Sequence, residues 1–536
     1  MSIIIKSISY TLSDKTTLFQ NISFVILKGQ KAALVGNNGS GKSTLLKIIA
    51  GQLQTSAGAV FHTEKPYYVP QHLGEYNHLN VAQALGIENK LKALGAILMG
   101  DVSAETYILL NDDWTIEERI KEAFSYWHLQ HLSLYHPMHL LSGGEKTKVF
   151  LAGIQIYKPE IIVLDEPTNH LDRESRELLY KFISKSKQTI LIVSHDRTLL
   201  NLLNQTLELS ENGIEIYGGN YEFYKVQNDG KLKALESQLE EKQKALKQTQ
   251  KKARELNEQR QKQESRGKAN GKKQNLPKII AGNLKSKAEV STAKMKDILH
   301  EKIHEAGDNL RQTQAEIKTQ KILKIDLRKS DLHKGKILVE AIELNYSYGT
   351  TMLWHKNFSF QIRSGDRIRI EGNNGTGKST LLKLITGVFE PSYGTIYRAE
   401  FKYFYLDQDY SVIDNQLTVF EQIQQFNERH LPEHYLKMLL HYHQFSNDLW
   451  ERKCLFLSGG EKMKLILCCF AINTNMPDMI ILDEPTNNLD TYSQQVLIEA
   501  IKYYDGTLLV ISHDQYFINE IAIKKQIEIP KADHKY

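Results

Sequence analysis

The sequence predicts an α/β protein in which two phosphate-loop domains are joined by a long antiparallel α-helical hairpin. Three observations predict this. Gly36-Asn37-Asn38-Gly39-Ser40-Gly41-Lys42-Ser43-Thr44 returns 336 residues later as Gly372-Asn373-Asn374-Gly375-Thr376-Gly377-Lys378-Ser379-Thr380. Two apolar runs, Ile161 to Leu164 and Met479 to Leu482, each end in an Asp-Glu pair, the pattern of strands buried on both faces of a parallel sheet. Between the copies the composition turns to Lys, Arg, Glu and Gln on a weak heptad seam.

The first copy begins with alternating apolar residues. Tyr10, Asn21, Phe24 and Gly29 lie 336 residues before Tyr346, Asn357, Phe360 and Gly365. Each phosphate loop follows a short apolar strand pattern, Ala32 to Val35 or Ile368 to Ile370, and precedes a helical one. That is the strand–loop–helix setting the motif needs. Later pairs keep the order: Gln71 with Gln408, Ser142 with Ser458, Asp165 with Asp483, His195 with His513. The changing offset puts about 20 extra residues in the first copy, near 86–114. That insertion is either a small arm or longer helices, the latter favoured.

The hairpin is expected over 225–335, between domains at 1–224 and 336–536. Leu232, Leu235, Leu239, Leu246, Ala253 and Leu256, with Lys242 and Thr249, mark one seam. Leu299, Ile303, Ala306, Leu310, Thr313 and Ile317 mark another. Gly267, Gly271, Pro277 and Gly282 predict a break between them, so the first helix is expected over about 227–265, roughly 60 Å at about 1.5 Å per residue. Residues 225–334 hold 28 Lys and Arg against 15 Asp and Glu. That net of +13, set against +5 for the whole chain, leaves the rest at −8. A basic tip at Lys268, Lys272, Lys273 and Lys278 suits contact with a nucleic-acid backbone, although most charge runs are only solvated surface. The tip has no interleaved aromatics, so base stacking is not expected.

Composition excludes other classes. No run of 18 apolar residues is present to span a membrane, and the short apolar start is not a secretory leader. Cys454, Cys468 and Cys469 lack metal-site or disulfide spacing. A cytoplasmic protein is expected.

The motifs carry specific chemistry. Glycines let backbone N–H groups converge on phosphate oxygens at a helix start. Lys42 and Lys378 are placed to reach the β- and γ-phosphates. Ser43, Ser379, Asp165 and Asp483 are suited to hold Mg²⁺. Glu166 and Glu484 are placed to polarise an attacking water, and His195 and His513 to contact the γ-phosphate.

Leu141-Ser142-Gly143-Gly144-Glu145-Lys146 and Leu457-Ser458-Gly459-Gly460-Glu461-Lys462 resemble the signature motif of ATP-binding cassette (ABC) ATPases. In that family the signature of one cassette caps the ATP held by the other. The resemblance implies that Ser458, Gly459 and Gly460 complete the site of Lys42, and Ser142, Gly143 and Gly144 that of Lys378. It implies that Tyr10 and Tyr346 stack on adenine and that Gln71 and Gln408 sense Mg²⁺ and the γ-phosphate. It also implies that Asp172 and Asp490 lie at the cassette interface. Each phosphate loop, 36–44 and 372–380, then binds ATP.

The loops Glu-Pro-Thr-Asn-His170 and Glu-Pro-Thr-Asn-Asn488, the Glu-Lys ending of the signature and the charged segment between cassettes resemble the ABC-F family. Members bind the ribosomal exit site with ATP between their cassettes. Their linker reaches toward the P-site tRNA and the peptidyl transferase centre. Some relieve stalled ribosomes and others protect them from antibiotics. The resemblance therefore implies rRNA and tRNA as partners, no membrane subunit, and a monomer whose two cassettes pair with each other. The first cassette lacks a long arm insertion, and only 23 residues follow His513, so no C-terminal coiled-coil extension is expected. An alternative is the ATP-hydrolysing subunit of a membrane importer, for which the basic hairpin has no use. A DNA-acting cassette ATPase is a third reading.

Overall fold

The computed structural model describes residues 2–12, 15–210, 213–273, 301, 303–305, 307–310, 333–349, 351–373, 375–443, 445–472, 476–487 and 489–530. They fall into two compact units. One joins both cassettes (Met1–Glu222 with Leu323–Tyr536) and the other is Phe223–Ile322. Lys278, Pro277, Gly282, Leu299, Ala306, Thr313, Ile317, Asn374 and Asn488 lie outside the described residues, as do the side chains of Lys268, Lys272 and Lys273.

In the first cassette the strands are β1 (Ile3–Thr11), β2 (Thr17–Ile26), β3 (Lys31–Val35), β4 (Ala57–His62), β5 (Tyr67–Val69), β6 (Ile161–Asp165), β7 (Thr189–Val193), β8 (Gln205–Ser210) and β9 (Gly213–Tyr217). They form an antiparallel sheet, β2-β1-β4, and a larger sheet, β5-β6-β7-β3-β8-β9, parallel except for β9. The strands β6 and β7 are buried at every residue. This is why Ile-Ile-Val-Leu-Asp and Thr-Ile-Leu-Ile-Val read as continuous rather than alternating apolar runs. Ile3, Ile5 and Ile8 of the small sheet pack with Leu45, Leu46 and Ile49 of the helix Lys42–Ile49. The two sheets thus clamp that helix, and the phosphate loop before it is held at both ends.

The second cassette repeats the plan with β10 (Ile337–Asn345), β11 (Ser347–Tyr348), β12 (Thr351–Met352), β13 (Phe358–Arg363), β14 (Arg367–Glu371), β15 (Tyr393–Arg398), β16 (Tyr403–Leu406), β17 (Met479–Asp483), β18 (Thr507–Ile511) and β19 (Lys525–Glu528). Its sheets are β13-β10-β15 and the parallel β16-β17-β18-β14-β19, with β11-β12 as a small hairpin.

Residues 86–114 form two helices, Glu88–Leu98 and Ala104–Leu110, whose faces pack together. Asp113 anchors them to the body, accepting from Lys90 at 2.8 Å and from Arg119 at 2.5 Å.

In the other unit the helix Tyr221–Lys273 has 53 residues, about 80 Å at about 1.5 Å per residue. The expected end near Ser265 is corrected: the helix continues through Gly267 and Gly271. A glycine costs about 1 kcal/mol relative to Ala inside a helix, too little to stop one this long among helix-forming neighbours. Positions 232, 235, 239, 242, 246, 249, 253 and 256 of the predicted seam are all partly shielded or buried. Helical residues recur at 301, 303–305 and 307–310.

Candidate functional site

Each phosphate loop ends at a glycine in left-handed backbone, Gly41 at φ 93° and Gly377 at φ 88°. A Cβ there would also lie 2.7 Å from Leu18 and 2.5 Å from Leu353, so both the turn and the packing require glycine. Neither following helix has a side-chain N-cap, which leaves its first N–H groups for an anion. Lys42 Nζ donates to Gly36 O at 2.7 Å and Asn37 O at 2.9 Å. Lys378 Nζ donates to Gly372 O at 2.8 Å and lies 3.1 Å from His513 Nε2.

The carboxylates come from the ends of β6 and β17. Ser43 faces Asp165 and Ser379 faces Asp483, each drawing the carboxylate pKa down against burial. Tyr68 donates to Asp165 Oδ2 at 3.3 Å and Tyr405 to Asp483 Oδ2 at 3.0 Å. Burial raises both aspartates above the usual carboxylate range. Asp165 Oδ1 is buried without a hydrogen-bond partner. A hard divalent cation between serine and aspartate oxygens satisfies that orphan, so the residues fit Mg²⁺.

Glu166 and Glu484 follow the strands in left-handed backbone, φ 50° and 49°. Their N–H groups still donate to Val193 O and Ile511 O at 2.8 Å. The ladder therefore extends one step while the side chain turns out of line. Burial, then the neighbouring Asp165, pushes Glu166 up to about 8; burial also raises Glu484, opposed first by Arg176 and then by Lys378. His195 Nε2 lies 3.2 Å from Glu166 Oε1, and His513 Nε2 lies 3.3 Å from Glu484 Oε1. Neither contact has hydrogen-bond geometry, so both glutamate oxygens are buried without such a partner. Burial, then the lysine charge, pushes His195 down to about 3 and His513 to about 2, so both rings are neutral.

The signature is a capping box. Ser142 Oγ accepts from Glu145 N at 3.3 Å, and Glu145 Oε2 accepts from Ser142 N at 2.9 Å. Ser458 and Glu461 repeat it. The lysine after each glutamate donates to a loop asparagine, Lys146 to Asn77 at 2.7 Å and Lys462 to Asn415 at 2.8 Å, which pins the start of each signature helix.

The cassettes exchange these parts. Asp490 of the second accepts from Asn38 N of the first at 2.9 Å, and a Cβ on Gly460 would stand 3.5 Å from Asn38 Nδ2. Reciprocally, Ser142, Gly143 and Gly144 line a cleft of about 450 Å³ with Lys378, Ser379, Gln408, Asp483, Glu484 and His513, within the size range of small-molecule sites. Arg173 also bonds Glu371 across the interface at 3.0 Å. Asp172 and Asp490 each cap the next helix, accepting from Ser175 N at 2.9 Å and Ser493 N at 2.7 Å. Gln71 follows β5 as Gln408 follows β16.

The second cleft carries an aromatic two residues beyond the expected one. Tyr346 stacks on Phe389 at 5.3 Å and packs against the apolar core. Tyr348, on β11, lines the cleft instead and hydrogen-bonds Thr380 at 3.0 Å. Tyr10, half-buried on β1, lies beside Phe19 at 6.2 Å. Tyr68 and Tyr405, which bond the two aspartates, share the 337-residue offset of Gln71 and Gln408, the signal in the sequence that marks them.

Two nucleotide cassettes that lend each other their signature helices define an ATP-binding cassette ATPase. The profile of the family described as "ABC transporter" matches residues 19–169 and 355–487, just over half the chain. Among relatives, the putative ATP-binding protein YdiF of Bacillus subtilis (strain 168) is 30% identical over 95% of this chain and 77% of its own length. ABC transporter F family member 5 of Arabidopsis thaliana is 28% identical over 96% of this chain and 73% of its own. The archaeal ribosome recycling factor aABCE1, solved with the archaeal ribosomal stalk protein aP1, has a similar fold. Its TM-score is 0.58 at 20% identity, over 97% of this chain and 87% of that one. The chain belongs to the ABC-F family of tandem-cassette ATPases. Among the described residues no helix is long and apolar enough to cross a membrane.

Proposed function

We propose that this ATPase is a cytoplasmic ribosome-binding protein: ATP closes its cassettes at the exit site, and its linker acts on the P-site tRNA and peptidyl transferase region. The observation that carries the reading is the segment between the cassettes, with its net charge of +13 and its 53-residue helix. A basic element of that length suits a phosphate-rich partner. Its tip residues Lys268, Lys272, Lys273 and Lys278 contact RNA backbone. Supporting it are the ABC-F relatives and the likeness in fold to a ribosome recycling factor. The chain works as a monomer, its cassettes pairing within one molecule.

At each site Lys42 or Lys378 binds the β- and γ-phosphates, and the N–H groups of 36–44 or 372–380 cradle them. Mg²⁺, held by Ser43, Asp165 and Gln71 or by Ser379, Asp483 and Gln408, supplies charge that offsets the phosphates. Glu166 and Glu484 orient the attacking water and draw its proton. The neutral imidazoles of His195 and His513 hold the γ-phosphate against them. The partner cassette's Ser458, Gly459 and Gly460, or Ser142, Gly143 and Gly144, exclude bulk water from the other face. Asp490 and Asp172 fix the interface. Hydrolysis removes the group both cassettes grip and releases the protein. Its output lies in translation regulation, stall rescue or protection from large-subunit antibiotics, which a drug-susceptibility panel separates.

The test is sedimentation. Glu166→Gln with Glu484→Gln is expected to pellet with ribosomes in ATP and not in ADP; no ATP-dependent pelleting sinks the proposal. Lys→Glu at 268, 272, 273 and 278 is expected to remove ribosome-dependent function while basal ATPase stays within about twofold, since the charge lies outside the cassettes.

A further inference from the structure

The two ATP sites are built from the same motifs but not from the same charges. Four residues after Asp172 comes Arg176; four after Asp490 comes Gln494. Both are buried. Gln494 turns inward, donating to Thr486 O and Leu489 O at 3.4 Å, and brings no charge to the first site. Arg176 is different. Its Nε donates to Leu171 O at 3.1 Å, and its Nη1 lies 3.8 Å from Asp196 Oδ2. The same side chain, on the first cassette, lines the cleft of the second site with Lys378, Glu484, Asn487 and His513. Its charge acts on Glu484, His513 and Asp514, all of the second cassette. Beneath the same site Arg369, buried on β14, donates to Ser512 O at 3.1 Å; the matching residue of β3 is Ala33. The second site therefore has two buried guanidiniums without counterparts in the first.

We propose that Arg176 is a specificity-determining residue of the second site, delivered across the interface to recognise the γ-phosphate, and that it makes this the site that distinguishes ATP from ADP. The proposal rests on the two-site ATPase reading above. Its logic is placement. Arg176 lines the same cleft as the phosphate loop, and its charge acts on Glu484 and His513, the glutamate and histidine that face the γ-phosphate. A guanidinium is always charged and matches a phosphoryl group with a planar fork. Leu171 O holds Nε, so the rest of the fork is oriented before nucleotide arrives. One more phosphate brings more negative charge to that cleft, and at the position matching Arg176 the first site has the uncharged Gln494.

Calorimetric titration of the full chain with AMP-PNP and ADP in Mg²⁺ tests this. Lys42→Ala isolates the second site and Lys378→Ala the first. In the Lys42→Ala background, Arg176→Gln is expected to weaken AMP-PNP about tenfold, as for loss of one charge-assisted contact, with ADP within about twofold. Arg176→Lys is expected to restore part of the loss. In the Lys378→Ala background Arg176→Gln is expected to change neither ligand, while Gln494→Arg strengthens AMP-PNP over ADP. Equal losses for both ligands, or equal losses at both sites, overturn the proposal and leave Arg176 a packing residue. If Arg176→Gln does not fold, Gln494→Arg decides by itself, and no selective gain overturns the proposal. Failure of both single-lysine backgrounds to bind AMP-PNP refutes the two-site reading instead, a separate result.

Discussion

Replacing Asp490 separates two roles of one carboxylate. Its Oδ1 accepts from Ser493 N at 2.7 Å and caps the helix Thr491–Lys502. Its Oδ2 accepts from Asn38 N, in the phosphate loop of the other cassette, at 2.9 Å. Those hydrogen bonds hold its pKa below the ordinary aspartate value despite burial. Losing an N-cap costs about 1 kcal/mol, and losing a bond to a charged acceptor costs about 2 kcal/mol. Asp490→Ala is therefore expected to remove about 3 kcal/mol in all, of which only the second part reaches the loop. Asn caps as well as Asp, so Asp490→Asn keeps the first part and weakens only the second, by about 1 kcal/mol. Hydrogen exchange at the Asn38 amide, read by mass spectrometry on a peptide covering 36–44, isolates that part from global unfolding. The expected acceleration is about thirtyfold for Ala and about fivefold for Asn, from about 1.4 kcal/mol per factor of ten. Thr418→Ala is the control. It removes the cap of Val419–Gln425, with no expected effect on that peptide. Equal exchange in the Ala and Asn variants, or no acceleration in either, refutes the reasoning.

Two further outcomes are expected. His443 is buried with Nδ1 unpartnered, and burial and then Lys464 push it down to about 4. Its unfolded value is about 6.5, so the unfolded chain takes up a proton that the folded chain refuses. Stability from this residue is complete above about pH 6.5 and falls by about 3 kcal/mol as pH drops to about 4. His443→Leu should flatten the stability–pH slope in that window, and an unchanged slope rejects the assignment. Tyr348→Ala should weaken nucleotide binding at the second site about tenfold if the ring stacks on the base, while Tyr346→Ala should lower the unfolding temperature instead. Titration and melting of the two variants decide between them.

The motifs were legible because each is a local solution to a local problem. A glycine-flanked helix start, a buried strand ending in carboxylates and an S-x-x-E capping box all announce themselves over a few residues. Tyr346 and Tyr348 were not separable, since residues two apart share one face of an extended strand; the break between β10 and β11 at Tyr346 is what sets them apart. Bulges and register shifts in β10 near Ala341–Asn345 are invisible in the letters. Arg176 was missed for another reason: its neighbours belong to a different cassette, and no local pattern records that. The helix through Gly267 and Gly271 shows the reverse error, in which a local breaker is outweighed by the length around it.

The left-handed backbone at Glu166 and Glu484 reaches beyond geometry. Holding a non-glycine residue there costs about 1–2 kcal/mol, and the chain does so at both positions. Glycine at either would relax the turn, and selection for thermal endurance alone would favour it while extinguishing turnover. With the catalytic roles proposed for them, these are two places where folding and work pull the sequence in opposite directions. A screen that rewards only heat resistance should drift toward glycine there, and one that rewards turnover should never keep it.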